Sequence, residues 1–326
     1  MQLSIVLPTK YRLLSLAAIL DVFETANRFL AEEGKPQLFK ITLVGIPPNK
    51  ALPESISHLP YRSYRTGQQF DLIFVPAFGP VDFAQTIADN SCLIPWLQAQ
   101  YQCGAALAST CTGVFLLAAS GLLNGKRATT HVDAVDQLAR HFPEINIQRN
   151  AVVTQDDKIY TSGGATSGFH LKLALLQKYC GRELAVRIAK VFSIDMDRDN
   201  QAYFGHFAPI EVHDDELVMR VQHKIKSEFP EIKSIEEAIA DIPASRRNLV
   251  RRFKQATGLT PIRYLQKTKI EAAKKMLENT EKGLFEIMLC AGYNDMKNFR
   301  QLFKENTGMT PKAYRDKFAM RYEPII

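Results

Sequence analysis

The feature that most constrains this chain is an internal repeat near its C-terminus. Residues 236–264 match the residues 50 positions further along at nine of 29 positions. Most of the matches share the pattern FKxxTGxTPxxY, which occurs at 253–264 and again at 303–314. Self-similarity at a fixed period indicates one supersecondary unit built twice. The C-terminal third of the chain is therefore predicted to contain two copies of the same small fold.

Each copy has the signals of two short helices separated by a turn. In the first copy, Ser234 followed three residues later by Glu237 predicts a capping box at the start of the first helix. Ser, Thr, Asp or Asn before a helical run, and Gly after it, are typical starts and stops. The predicted caps, turn and stops are Ser234, Ser245 and Gly258 in the first copy and Gly292, Asp295 and Gly308 in the second. Two short helices joined by such a turn are typical of a helix-turn-helix.

The second helix of each copy has an apolar stripe and an opposite face that is mostly basic. The stripe residues are Leu249, Phe253 and Ala256 in the first copy and Phe299, Phe303 and Asn306 in the second. In the major groove of double-stranded DNA, Arg or Lys binds guanine and Gln binds adenine. We predict DNA contacts from Ser245, Arg246, Arg247, Val250, Arg251, Lys254, Lys297, Arg300, Gln301 and Lys304. Nearer the helix flanks, we expect phosphate contacts from Arg246, Arg252, Lys254 and Lys304.

Charge and spacing support a polyanionic partner for this region. Residues 216–326 contain 22 Lys and Arg against 14 Asp and Glu, whereas residues 1–215 contain 19 against 20. Residues 261–278 are predicted to form one helix about 27 Å long, close to the roughly 34 Å of one duplex turn. Such a stiff spacer would place two recognition helices in successive major-groove segments. A solvated basic surface is the alternative interpretation, but it leaves the duplication and the caps unexplained.

At RRFKQATGLTP (251–261) and GYNDMKNFRQLFKENTGMTPKAYR (292–315), the chain resembles the DNA-binding domain of AraC/XylS-type bacterial transcription regulators. The resemblance covers about residues 216–322. The first copy departs from the family at Ile242-Pro243, where Ala or Gly is frequent before the turn. The resemblance implies sequence-specific binding of promoter DNA, action with RNA polymerase as an activator, and a homodimer.

The rest of the chain alternates strand-like and helix-like segments. The predicted strands are nearly continuous apolar runs at 3–7, 39–44, 71–76, 104–109 and 158–162. The predicted helices are 13–33, 93–101, 112–123, 131–142 and 165–180. This alternation is typical of an α/β domain with a parallel sheet covered on both faces. We therefore predict a flavodoxin-like α/β domain at 1–205, a linker at 206–215, and an all-α domain with tandem helix-turn-helix units at 216–322.

An uncharged stretch, residues 90–125, raises the possibility of a membrane span, since 104–123 is long enough to cross a bilayer. The run from Ser109 to Gly113 suits a tight turn better, so a buried strand, turn and helix are predicted here. No secretory signal pattern opens the sequence, and a cytoplasmic protein without a membrane partner is expected. The five cysteines are odd in number and contain no C-x-x-C pair, so no disulfide framework, metal or cofactor is predicted.

Cys111 stands between a predicted strand and a predicted helix. A residue at such an elbow lies near a helix N-terminus, where the dipole is expected to lower the thiol pKa. Nucleophilic cysteines use this geometry. Residues 106–131 resemble the intracellular-protease and glutamine-amidotransferase-like domain, in the version fused ahead of AraC-type domains in GlxA-like regulators. Further likeness lies at 16–29, 161–177 and 197–204, so the resemblance extends over nearly the whole chain.

The residues around Cys111 depart from the catalytic members of that superfamily. Those members place His after the cysteine, where this chain has Thr112, and Glu in the loop after the first strand, where it has Lys10-Tyr11-Arg12. No catalytic residue and no enzyme activity are therefore predicted. Three interpretations of Cys111 stay open: a small residue at a crowded elbow, a ligand contact, or a nucleophile with His131 as its partner. His131 itself fits a helix cap as well as a cavity wall.

Open α/β sheets bind ligands at the carboxyl ends of their strands. The predicted ligand-binding residues are Cys111, Thr112, His131, Gly79, Gly163 and Gly164. The chain is thus predicted to be a DNA-binding transcription regulator that responds to a small metabolite, which the family resemblance suggests is nitrogenous. A cysteine-dependent hydrolase or amidase with a DNA-targeting domain, and an architectural protein that binds DNA without sequence preference, are the alternatives.

Overall fold

The computed structural model describes residues 1–46, 56–79, 83–207, 213–240 and 242–319. The chain divides into two units, Met1–Gln201 and Ala202–Ile326. Part of the predicted linker (208–212) and the predicted end of the C-terminal domain (320–322) lie outside the described residues. The domain boundaries at 205, 215 and 322 therefore stay a prediction.

The first unit is built on a seven-stranded sheet with the order β3-β2-β1-β4-β5-β9-β8. Its strands are β1 Gln2–Leu7, β2 Lys40–Gly45, β3 Tyr61–Ser63, β4 Leu72–Val75, β5 Ala106–Thr110, β8 Val153–Asp156 and β9 Ile159–Ser162. Every pair is parallel except the antiparallel pair β8 and β9. A separate two-stranded sheet pairs β6 Arg127–Ala128 with β7 Asn146–Ile147. The predicted α/β fold is confirmed, and all five predicted strands are present.

Helices cover both faces of this sheet, because alternate residues of its central strands are apolar on both sides. In β1, Ile5 packs into a core with α1 and α6, whereas Val6 packs into a second core with α3 and α4. The helices of this unit are α1 Leu13–Glu32, α2 Phe83–Asp89, α3 Leu93–Gln102, α4 Val114–Ala119, α5 Val135–His141, α6 Ser167–Cys180 and α7 Arg182–Val191.

The uncharged stretch folds as a strand, a tight turn and a helix, as predicted. Strand β5 leads into a single 3-10 turn at Cys111–Gly113, and α4 follows directly. Gly113 is required here, since a Cβ at this position would lie 2.4 Å from the carbonyl oxygen of Val75. In the described part of the chain, no helix combines the length and apolar character needed to cross a membrane.

The second unit contains helices and, over its described residues, no strand. Its helices are α8 Glu216–Glu228, α9 Ile235–Ile239, α10 Arg246–Thr257, α11 Pro261–Asn279, α12 Leu284–Cys290, α13 Met296–Thr307 and α14 Pro311–Phe318. The first copy of the repeat corresponds to α9 and α10, and the second corresponds to α12 and α13. The predicted tandem helix-turn-helix architecture is confirmed.

The two copies reproduce the same local interactions. At the end of α10 the hydroxyl of Thr257 donates to the carbonyl of Phe253 at 2.7 Å, and at the end of α13 Thr307 donates to Phe303 at 2.8 Å. In each copy a tyrosine ring then packs edge-on against that phenylalanine, with ring centroids 5.3 and 5.4 Å apart. The identical Phe, Thr and Tyr residues of the repeat therefore preserve one packing arrangement in both copies.

The predicted caps form in both copies. The side chain of Ser245 accepts from the N–H of Asn248 in the first turn of α10, and that of Asp295 accepts from the N–H of Asn298 in the first turn of α13. Gly258 and Gly308 end these helices, each with φ of 78°, a left-handed conformation that favours glycine. At α9 the capping box differs in one detail, because the Glu237 carboxylate accepts from the N–H of Lys233 rather than from the cap serine.

Helix α11 connects the two copies through their hydrophobic cores. Its N-terminal Tyr264 and Leu265 pack with the core of the first copy, around Phe253. Its later Ile270 and Leu277 pack with the core of the second copy. The predicted single helix at 261–278 is confirmed and ends one residue later. Helix α11 therefore contributes to both cores, and this packing stabilises it as one continuous helix.

Candidate functional sites

A cavity of about 760 Å³ lies at the carboxyl ends of the parallel strands in the first unit. Its walls come from the loops after β1, β4, β5 and β9, from the N-terminal halves of α1 and α6, from the start of α2, and from the segment after β6 that leads into α5. Three of the predicted ligand-binding residues line it, namely Cys111, Thr112 and His131. The other three lie outside the lining, namely Gly79, Gly163 and Gly164. Their contact with a ligand stays a prediction.

The Cys111 backbone adopts the strained elbow that the sequence predicts. Its φ is 54°, in the left-handed region that is costly for a residue with a side chain. The hydroxyl of Thr130 donates to the Cys111 carbonyl oxygen at 3.0 Å and helps to hold this conformation. Gly113 packs closely against the end of β4, as described above, so the backbone around Cys111 cannot relax to another conformation.

The predicted lowering of the thiol pKa is wrong. Burial raises the pKa of the Cys111 thiol, and this effect exceeds the opposing effects of the Thr112 and Ala165 backbone N–H groups and of the Arg12 charge. The helical segment after Cys111 begins as a single 3-10 turn and continues for six residues. At neutral pH the side chain is therefore a neutral thiol, which is a poor nucleophile and metal ligand.

Thr112 uses its hydroxyl within the protein. The oxygen donates to the Phe78 carbonyl at 2.8 Å and accepts from the Phe78 N–H at 3.0 Å. These two bonds fix the loop after β4 that borders the cavity. Gly79, the next residue of that loop, donates its N–H to the carbonyl of Lys10 at 2.9 Å. Thr112 and Gly79 thus position the cavity wall.

His131 acts as a helix cap as well as a wall of the cavity. Its Nδ1 accepts from the N–H of Asp133 at 3.2 Å, at the start of a short 3-10 helix. Its ring lies against Gly164, where a Cβ would be 2.1 Å from Cδ2 of the histidine. A Cβ on Gly163 would be 1.8 Å from Oε1 of Gln201. The two glycines therefore leave room for the side chains of His131 and Gln201.

Sequence reasoning missed several polar residues of the cavity, among them the deeply buried Lys172 on α6. This side chain is 2% exposed, and its Nζ lies 4.6 Å from the centroid of the Phe169 ring. Burial lowers the pKa of Lys172 to about 7, with no contribution from a neighbouring charge. The sequence did contain a signal for this residue. Gly168, Lys172 and Leu175 are spaced i, i+4 and i+7 along the predicted helix, so the lysine stands in the stripe that is expected to be apolar.

The predicted DNA-contacting residues are presented on the surface of the second unit. Nine of the ten are exposed, and the tenth, Val250, is half-buried. The opposite stripe is fully buried at Leu249, Phe253, Phe299 and Phe303. The two faces of each recognition helix are therefore separated as the sequence predicts, and contact of the basic faces with DNA stays a prediction.

The exposed basic residues make only weak contacts within the protein. Arg246 pairs with Glu236 at 3.0 Å, and Arg251 donates to the amide oxygen of Asn248 at 3.2 Å. Ser245 is the cap of α10, with its oxygen 3.4 Å from the N–H of Asn248. Surface pairs of this kind contribute about 0–1 kcal/mol. A phosphate or a base edge can replace them at little cost.

Arg252 differs from its neighbours, because it is bound within the protein. Two of its nitrogens donate to the two carboxylate oxygens of Asp215, both at 2.7 Å. Asp215 also caps α8 through the N–H of Val218, and the hydrogen bond from Arg252 lowers the pKa of its carboxyl. The guanidinium therefore joins α10 to α8, and its predicted contact with a DNA phosphate stays a prediction.

Comparisons with known proteins match both units to families. Residues 240–317 match the model of a family described as helix-turn-helix domain, and residues 59–178 match the DJ-1/PfpI family. A solved transcriptional regulator protein from Vibrio parahaemolyticus superposes with a TM-score of 0.50 at 22% identity, over 59% of this chain and 98% of that chain. This likeness shows the fold of the α/β unit and no more.

Among the similar curated proteins are several named HTH-type transcriptional regulators. CdhR of Pseudomonas aeruginosa is 26% identical over 75% of this chain and 72% of its own length. GbdR of the same species is 25% identical over 68% of this chain, but this match spans only 60% of GbdR. GlxA of Rhizobium meliloti is 25% identical over 76% of each chain.

Proposed function

Since this chain joins a DJ-1/PfpI domain to an AraC-type helix-turn-helix domain, we propose that it is a DNA-binding transcription regulator controlled by a small effector. The observation that carries the proposal is the duplicated pair of capped helices, α10 and α13, whose basic faces are exposed while their apolar faces form two cores. In this proposal the two helices read neighbouring major-groove segments of promoter DNA, and α11 sets their spacing.

The cavity at the sheet edge is the proposed effector site. Its volume suits a metabolite, and the family resemblance favours a nitrogenous one. Effector binding would shift the population of DNA-competent states, which requires different effector affinities for the two states. We further propose that the regulator acts as a homodimer and activates transcription with RNA polymerase.

The cysteine-hydrolase alternative is not favoured by the site. Cys111 is a neutral thiol, and the relatives described above are named as regulators. A Cys111→Ala variant is therefore expected to keep promoter regulation. Loss of regulation together with loss of a measurable amidase activity would support the hydrolase interpretation instead.

DNase footprinting on DNA upstream of the protein's own gene tests the DNA-binding proposal. We expect two protected segments about one helical turn apart. Arg251→Ala and Arg300→Ala should each lose roughly 1–3 kcal/mol of binding free energy on the protected site and much less on random DNA. Lys275→Ala on α11 removes an exposed positive charge away from both recognition helices and serves as the control.

The same experiment separates this proposal from an architectural DNA binder. Such a protein would protect DNA without two discrete segments, and Arg251→Ala would weaken its binding to all sequences equally. Either result would refute the tandem-reader model.

A further inference from the structure

The cavity of the first unit contains a buried amine that contacts an aromatic ring but has no hydrogen-bond or ion-pair partner among the described residues. Among the described residues, no carboxylate and no hydrogen-bond acceptor contacts the Nζ of Lys172. Space next to this nitrogen is kept by Gly168, where a Cβ would lie 3.4 Å from Nζ and 3.3 Å from the methyl group of Thr110. The amine therefore lines an accessible cavity rather than a sealed core.

The charges around the cavity are unbalanced in favour of cations. Of the described residues that line it, Arg12 and Lys172 are basic and Asp133 alone is acidic. The Asp133 carboxylate is half exposed and lies 3.8 Å from Nδ1 of His131. It therefore belongs to the histidine cap, and Lys172 is left without an opposing charge.

A buried lysine of this kind is costly for the fold. An apolar side chain of similar volume would remove the desolvation penalty and pack better against Leu171 and Leu175 on the same helix. Buried charges in proteins are otherwise paired. A lysine that faces a cavity and lacks an opposing charge is therefore best explained if a ligand supplies that charge.

We propose that Lys172 is the anchor for a carboxylate of the effector. This inference rests on the proposed effector-sensing function and specifies its ligand chemistry. A single ammonium group matches the single charge of a carboxylate, and the apolar remainder of the ligand packs against the cavity walls at Phe83 and Phe169. A neutral ligand of the same shape would leave the amine without compensation.

Calorimetric titration of the full-length protein with matched probes tests the proposal. The probes are acetate, isovalerate and phenylacetate, each paired with its neutral amide. The protein variants are wild type, Lys172→Met and Lys190→Met, the last removing an exposed lysine of α7 outside the cavity. We expect at least one carboxylate to bind wild type and Lys190→Met at least tenfold more tightly than its amide. Lys172→Met should lose at least tenfold of that carboxylate affinity and keep the affinity for the amide.

Several outcomes would overturn the proposal. Equal binding of a carboxylate and its amide would exclude a charge-specific anchor, and unchanged carboxylate binding by Lys172→Met would place the anchor elsewhere. Absence of carboxylate binding to wild type would also refute it.

If cationic or neutral metabolites still shift the thermal midpoint and change DNA binding, effector sensing survives this failure. If no compound of any charge binds, the proposed function fails as well. A thermal midpoint of Lys172→Met at or above that of wild type verifies that the variant is folded.

Discussion

Both units bury lysine side chains, but Lys269 of the second unit and Lys172 of the first differ in how their charge is satisfied. In the second unit, Lys269 is 6% exposed and donates to the carbonyl oxygens of Ile232 and Gly292, both at 2.9 Å. In the first unit, Lys172 is 2% exposed and has no acceptor among the described residues. Burial lowers the pKa of both side chains. The difference indicates that Lys269 stabilises the fold, whereas Lys172 is placed to bind a ligand.

The acceptors of Lys269 explain its structural role. Ile232 follows α8 beside the first copy of the repeat, and Gly292 lies in the turn between α12 and α13 of the second copy. A Cβ on Gly292 would lie 2.4 Å from the carbonyl oxygen of Pro230 and 2.9 Å from Nζ of Lys269. The ammonium group of Lys269 therefore links the two copies of the repeat through hydrogen bonds. The packing around Gly292 leaves no room there for a side chain.

The largest expected effect is that of Lys269→Met, which leaves two carbonyl oxygens without their donor. We expect the free energy of unfolding to fall by about 3 kcal/mol, since unsatisfied buried polar groups cost roughly 1–3 kcal/mol each. Differential scanning calorimetry of the full chain measures the loss, with the exposed Lys275→Met on the same helix as the control. A loss below about 1 kcal/mol would mean that Lys269 is no better satisfied than Lys172.

A smaller effect is expected from pH. The pKa of Lys172 is lowered from 10.5 to about 7 on folding, so the unfolded chain binds more protons between these values. The stability of wild type should therefore rise with pH relative to Lys172→Met, by about 2 kcal/mol from pH 7 to pH 9. The other titratable or charged groups lining the cavity are Arg12, Cys111, His131 and Asp133. They remain in both proteins and largely cancel in the difference.

Urea unfolding of both proteins at pH 6, 7, 8 and 9 measures this difference. At pH 6 and below the two curves should run nearly parallel, because Lys172 is then mostly protonated in both the folded and the unfolded state. A difference that stays flat up to pH 9 would show that Lys172 has a normal pKa and a partner in solution.

At fixed pH 7 the effect of Lys172→Met should be smaller still and opposite in sign to that of Lys269→Met. Methionine has a similar volume and removes a desolvated amine, so we expect a gain of about 1 kcal/mol in the free energy of unfolding. The thermal midpoint measured without added ligand reports the gain. A loss of stability would indicate a partner for Lys172 in the folded protein and would end the contrast between the two lysines.

Much of the fold could be predicted because its signals are local. The caps Ser245 and Asp295, the stops at Gly258 and Gly308 and the five apolar strand runs are properties of short segments. The missed elements carry weak local signals. Strand β3 has three residues at the sheet edge with none buried, and α7 follows α6 after a single glycine, Gly181.

The properties of the cavity were less predictable, because they depend on burial by distant segments. The sequence placed Cys111 at an elbow, but its raised thiol pKa arises from residues packed around it in the folded state. Lys172 was visible as a lysine in an apolar stripe, yet only the structure shows that no acceptor reaches it. The salt bridge between Arg252 and Asp215 likewise joins residues 37 positions apart, and no local sequence pattern predicts such a pair.

The smallest expected effect concerns Cys111, which lines the same cavity as Lys172. If this thiol ionised at neutral pH, its thiolate would supply the charge that Lys172 lacks, and the contrast with Lys269 would disappear. Because burial raises its pKa, Cys111→Ala should change the pH dependence of stability attributed to Lys172 by less than about 0.5 kcal/mol between pH 7 and pH 8. A double-mutant cycle with Lys172→Met measures the coupling. A coupling above 1 kcal/mol would show that thiolate and ammonium form a pair, and the search for an external carboxylate would then lose its physical basis.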